Sequence, residues 1–296
     1  MSQDLTTAPQ GAGPEPTVGL RRSGALRQAL RRPAIIIAGG LFIVICVAAS
    51  LGPFFAGDPN AFNALERLQA PSLAHPFGTD NLGRDIAVRV LFGGRASLLV
   101  GFAVGLVSVA VGSLIGIAAA MFRPVDLLLM RVVDGIMSFP IIVLALSMMA
   151  ILGPGLQTVI ISLSIVLVPS VARVVRGRAL VVSQLPMIDA ARMVGASRWR
   201  IMRTYVLAHC VTPVLVQAAI VFTTAVLIES ALSFIGAGLP PDTPSWGASL
   251  AESRNYLQTA WWMWLFPGLA LLATVLSANV VIDGVRDVLD PRSARR

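Results

Sequence analysis

The chain has 296 residues, of which 56% are hydrophobic and only 13% charged, and its mean hydropathy is +0.79. A soluble domain carries about a quarter charged residues, and several apolar runs here exceed the roughly 18 residues needed to cross a bilayer, so a soluble globular protein is excluded. The net charge is +8 and all 23 basic residues are arginine; without a lysine the chain holds no Walker A phosphate loop and is not itself a P-loop ATPase.

The basic residues flank apolar runs, so they read as the positive-inside signature rather than as a nucleic-acid surface, and no nucleic-acid partner is expected. Cys46, inside the first apolar run, and Cys210 read as small buried hydrophobes. His75 and His209 stand far apart in sequence, and no metal site is expected.

Residues 1–32 are rich in Gly, Pro, Thr and Gln and end in Arg21, Arg22, Arg27, Arg31 and Arg32; the composition predicts a disordered tail with a basic flank. The run 33–57 predicts an uncleaved first transmembrane helix, being too long and starting too late for a signal peptide. Residues 58–95, with Pro59, Pro71 and Pro76, predict a structured external loop, since the segment is too long for a simple turn. A second span is predicted from about Ser97 to Phe122, with Gly101, Gly105, Gly112 and Gly116 near one helical face, where small residues allow close backbone approach. Bundle packing accounts for that face more readily than a substrate-lining role.

The third span opens amphipathically with Asp126, Arg131 and Asp134 and is apolar from Ile136 to Leu152. Gly153-Pro154-Gly155 predicts a tight turn, and the fourth span runs from Leu156 to Val175. The polar segment 179–211 follows, then a fifth span from Thr212 to Ile235 that contains Glu229. A proline-rich loop, 236–260, leads to the sixth span, Met263–Ile282, and to a tail over 286–296. Trp246, Trp261, Trp262 and Trp264 suit the headgroup level. With the N-terminus inside, 18 arginines fall on the inner side and 5 on the outer, so both termini and the segment 179–211 are predicted to be cytosolic.

That segment reads Pro186-Met187-Ile188-Asp189-Ala190-Ala191-Arg192-Met193-Val194-Gly195-Ala196-Ser197-Arg198-Trp199-Arg200. Pro186 suits a helix start, Asp189 favours the positive end of the helix dipole, and Gly195 ends or bends the helix. Asp189-Ala190-Ala191-x-x-x-Gly195, followed by Val206-Leu207, resembles the EAA loop of binding-protein-dependent ABC-transporter permeases. Three more stretches resemble the dipeptide/oligopeptide/nickel branch of that family, and specifically its second (C-type) permease subunit. They are Phe77–Asp85 continuing to Leu98, Glu229–Gly238 continuing through Pro241 to Gly247, and Asn279–Arg292. Together they span nearly all of the folded chain.

The resemblance implies an all-α polytopic fold of six transmembrane helices, the type I ABC-importer permease fold, with a permease core over 96–285 and a cytosolic coupling helix. It implies that Met187, Ile188, Asp189, Ala190, Ala191, Arg192, Val194, Gly195, Ala196, Ser197, Trp199 and Arg200 dock on an ATPase subunit. The implied partners are a second, homologous permease, two cytosolic ABC ATPase subunits that bind ATP and Mg, an external solute-binding protein, membrane lipid and a peptide substrate. No cofactor is expected on this chain, which is read as non-catalytic in a prokaryotic plasma (inner) membrane.

Two departures stand out: Asp189 replaces the family's usual glutamate, and Ala208-His209 stands where a Pro-Asn pair is typical, with Pro213 nearby. Asp134, Glu229, Ser233 and Phe234 are candidates for the translocation path or gate, with satisfied packing partners as the alternative for the two carboxylates. Asp80, Arg84 and Asp85 are candidates for binding-protein contact, with structural tethering as the alternative. Nickel chelates, glutathione and haem are alternative cargoes. In a different class, an ion-coupled secondary transporter acting alone would use Glu229 as its carrier. An intramembrane aspartyl enzyme built on Asp134 and Asp283 lacks any Gly-x-Gly-Asp motif.

Overall fold

The computed structural model describes residues 33–240 and 242–289. The tail expected over 1–32, Pro241 and the end of the cytosolic tail, 290–296, lie outside the described residues. Every long element among the described residues is a helix. Five are long and apolar enough to cross a membrane, or six if one bent pair counts as a single span.

Helix α1 (Pro33–Phe55) is apolar throughout. Helix α2 (Ile86–Met121) begins well before the predicted Ser97. The cause is Asp85, whose carboxylate accepts the backbone N–H groups of Ala87 and Val88 and so caps the first turn. Arg89 and Arg95 argue against a span in the sequence, yet they ride on the helix, and Arg89 is buried against an acidic partner described below.

The predicted third span is two helices, α3 (Arg123–Met137) and α4 (Ile141–Leu152), bent by 92°. Pro140 explains the break: it lacks an N–H and disfavours helical geometry at Phe139. At 12 residues, α4 is about 18 Å long, too short to cross a bilayer core of about 30 Å alone. Arg176 donates to Asp126 at 2.5 and 2.7 Å, and Arg173 to Asp134 at 2.7 Å, tying α3 to α5 (Leu156–Ser183).

After α5 come two short helices, α6 (Pro186–Met193) and α7 (Arg198–Ile201). A π-type turn over Met202–Val206 then joins α8 (Leu207–Phe234). Helix α9 (Trp246–Glu252) precedes α10 (Trp262–Leu289), which runs a turn and more past the predicted Ile282.

The core lies where α2, α5 and α8 cross, around Val104, Leu163, Val171, Val175, Val221 and Leu232. A Cβ on Gly112 would sit 2.6 Å from the Val171 side chain, and one on Gly116 would sit 2.5 Å from the Ala172 carbonyl oxygen. These glycines let α2 and α5 touch backbone to backbone, while Gly101 faces Val226 and Phe222 of α8. Trp246 departs from its predicted headgroup position. It is 1% exposed, packs on Gly94, and donates its indole N–H to the Val90 carbonyl. Trp262 is likewise buried and bonded to the Thr79 carbonyl, whereas Trp261 and Trp264 remain exposed.

Candidate functional site

The polar segment between α5 and α8 is built by local rules. Pro186 occupies the first turn of α6, where its missing N–H costs nothing, and Asp189 sits in that turn at the positive helix end. Arg192 pairs with Asp189 at 3.0 Å across the helix surface. The helix stops at Gly195, whose φ is +84°. The Ala196 N–H reaches the Ala191 carbonyl and the Gly195 N–H reaches the Arg192 carbonyl, both at 3.0 Å. This double bond pattern is the Schellman termination, and it needs a left-handed residue. Ser197 then caps α7 by accepting the Arg200 N–H.

Ile188 of α6, Ile201 of α7 and Val206 of the π-type turn anchor this segment inward. Ile188 is fully buried and Ala191 and Ala196 pack beside it on the core. The other face is open: Met193 is 88%, Val194 89% and Trp199 67% exposed. Asp189, Ala190, Arg192, Arg198 and Arg200 are exposed around them. An apolar patch with a basic rim therefore faces outward from the end of α6 and from α7.

The join to α8 carries a second device. Pro213 lies inside α8 and has no N–H for the carbonyl four residues back, that of His209. The Arg178 guanidinium of α5 donates to that carbonyl at 3.4 Å, while the His209 ring bonds the Tyr205 carbonyl. Ala208-His209 thus belongs to a helix start strapped to α5. The sequence shows Arg178 only as one of several arginines near this segment; Pro213, four residues after His209, is the one local signal for its role.

At the opposite end of the bundle, Glu229 is fully buried. Ser97 of α2 and Ser233 of α8 each donate to its carboxylate at 2.8 Å, with Ser230 at 3.4 Å. Behind it, α8 ends in another Schellman pattern at Gly236, φ +84°, with the Ala237 N–H on the Leu232 carbonyl. Glu229 and Ser233 are therefore brought together, whereas Asp134 is far from them on α3, exposed and paired with Arg173. Phe234 lies at the rim, with the Arg254 guanidinium 3.8 Å over its ring centroid.

Asp80 and Arg84 are turned inward and Asp85 is half-buried, the arrangement that the tethering alternative describes. Asp80 is 2% and Arg84 8% exposed. Arg84 donates to Asp80 and to Glu252 of α9, both at 2.6 Å, and Arg89 reaches Glu252 at 3.0 Å. Asp85 caps α2 and bonds His75 at 2.8 Å. These groups clamp the loop before α2 to α9. The pairing of Arg89 with Glu252 has no local signal in the sequence, since the two are 163 positions apart.

Fold and site together define an integral-membrane protein whose spans cross in one core and which presents an exposed helix between α5 and α8. A chain of the inward-facing MetNI methionine ABC transporter shares the fold, with a TM-score of 0.57 at 23% identity over 69% of this chain and 98% of that one. Residues 112–295 match the family described as binding-protein-dependent transport system inner membrane component. A protein of Brucella suis biovar 1 (strain 1330) that bears the name of a peptide transport system permease is 46% identical over 267 residues, 90% of each chain. The dipeptide transport system permease protein of Alkalihalophilus pseudofirmus is 39% identical over 252 residues, 85% of this chain and 82% of that one. The chain belongs to the binding-protein-dependent transport system inner membrane component family, and is a multi-pass inner-membrane permease of an ABC transport system.

Proposed function

We propose that the chain is one of two homologous permeases of an ATP-driven importer that takes di- or oligopeptides from an external solute-binding protein into the cytosol. The arginine-rich face is the cytosolic one, and both termini lie on it. Two ABC ATPase subunits bind ATP and Mg and hydrolyse the nucleotide; this chain contributes neither cofactor nor catalytic group.

The observation that carries this reading is the exposed patch formed by Met193 and Val194 at the end of α6 and Trp199 on α7, rimmed by arginines. Large apolar side chains held so far out of a polar surface mark a protein contact. Each, once covered, contributes about 1.5–3 kcal/mol. Helix α6 is joined to α5 by Gln184 and Leu185 alone and to α8 through α7 and the π-type turn. A displacement of α6 by closing ATPases therefore passes into two spans that cross in the core. The names carried by the relatives support peptides as cargo; glutathione, nickel chelates and haem are the competitors to include in the assay.

The test is reconstitution of the complex with Val194→Asp. Loss of ATPase association and a drop of ATP-driven peptide uptake by at least about tenfold, which is roughly 1.4 kcal/mol or more of coupling, is the expected result. Full uptake with this variant would overturn the docking role. Proton-driven uptake by the chain alone would instead support a secondary transporter, although the closed hydroxyl cage around Glu229 gives a carrier no open path.

A further inference from the structure

A slot of about 560 Å³ lies between α1, α2, α8 and α10, apart from the presented helix and from the Glu229 cage. Gly101 and Gly105 of α2 and Ala218 and Ala219 of α8 are among its walls. Leu106 and Leu215 line it as well and are exposed. None of its lining residues carries a polar side chain, and all four helices are spans, so the slot lies at bilayer depth and offers water nothing to bond.

Size decides what fits. A methylene group is near a water molecule in volume, roughly 30 Å³, so a chain of about 16–18 carbons fills about 500 Å³. A helix about 10–12 Å across takes roughly 400–600 Å³ per turn, so the slot would take in little more than one turn of a partner helix.

Charge decides which lipid. Ile282 lines the slot, and Arg286, exposed, lies one turn further along the same face of α10. Ile35, in the first turn of α1, packs on Gly284, so the start of α1 meets α10 at this end. Arg31 and Arg32 directly precede α1 in sequence. Asp283, exposed three residues before Arg286, is its neighbour on the surface of α10, yet the two form no ion pair among the described residues. We infer that the slot holds one acyl chain of an anionic phospholipid whose phosphate sits at the Arg286 end.

The test is native mass spectrometry of the full-length chain, purified in detergent with its copurifying subunits, during titration with phosphatidylglycerol or phosphatidylcholine. The expected result is one saturable lipid per chain, with phosphatidylglycerol bound more tightly. Arg286→Gln should weaken phosphatidylglycerol by about fivefold, the effect of one arginine at an anionic surface, and leave phosphatidylcholine unchanged. Gly105→Leu should abolish both, whereas Gly105→Ala should not, because a Cβ there meets nothing nearer than the Ala218 carbonyl at 3.7 Å. Should Gly105→Leu fail to fold, Ala219→Leu fills the slot from the opposite wall. Unchanged binding in a filled variant, equal affinity for the two lipids in the wild type, or loss of a copurifying subunit in place of lipid would each overturn the proposal.

Discussion

Glu229 is fully buried in a span, with hydroxyls and, among the described residues, no cation around it. A carboxylate so placed is either a carrier or the keystone of a polar junction, and the two roles separate on substitution. Alanine removes the acceptor shared by Ser97, Ser230 and Ser233 and leaves a void; the expected loss is about 2–4 kcal/mol, seen as a lowered Tm of the detergent-purified complex. Glutamine keeps one acceptor oxygen and offers an amide that hydroxyls can accept, so Glu229→Gln should keep both Tm and uptake. Abolished uptake at unchanged Tm would make Glu229 a carrier instead. Gly195 is tested by the same contrast. Its φ of +84° costs a side chain about 1–2 kcal/mol, with asparagine the best tolerated. Gly195→Ala should therefore weaken ATPase coupling more than Gly195→Asn, measured as uptake at equal expression.

At the scale of elements, the clamp from Asp80, Arg84 and Arg89 to Glu252 holds two loops that are distant in sequence against one end of the bundle. Removing one partner from a fully buried ion pair costs about 3–5 kcal/mol. Glu252 keeps about a third of its side chain exposed, so water moderates the loss, and about 2 kcal/mol is expected for Glu252→Gln. Faster proteolysis across residues 56–85, together with a lower Tm, would report it; an unchanged digestion pattern would show that the clamp does not hold the loop. The polar loop 58–95 places the predicted start of the span at Ser97, although Asp85 ahead of an apolar run is a legible cap. The broken third span was legible in Pro140 in the same way. What was not legible is partnership: Arg89 and Glu252 are 163 positions apart, and Arg176 and Asp126 are 50 apart. Such pairs exist only once the helices have packed.

For the molecule as a whole, the number and order of apolar segments were legible because hydropathy accumulates over about 20 residues, a length at which single charges average out. Their sidedness rests on the arginine asymmetry, and the structure turns that into a direct measurement. Leu73, fully exposed, and Met193, 88% exposed, lie at opposite ends of the bundle. In a background with Cys46→Ala and Cys210→Ala, Leu73→Cys should react with a membrane-impermeant maleimide on intact cells, and Met193→Cys only after lysis. The reverse pattern would turn the chain over and remove the ATPase-docking role from α6. Met193→Cys carries a second readout. If α6 seats in an ATPase groove, adding the ATPase subunits to lysed membranes should slow its labelling severalfold while leaving Leu73→Cys untouched. Equal labelling with and without them would mean that the exposed patch faces some other partner, even with the topology upheld.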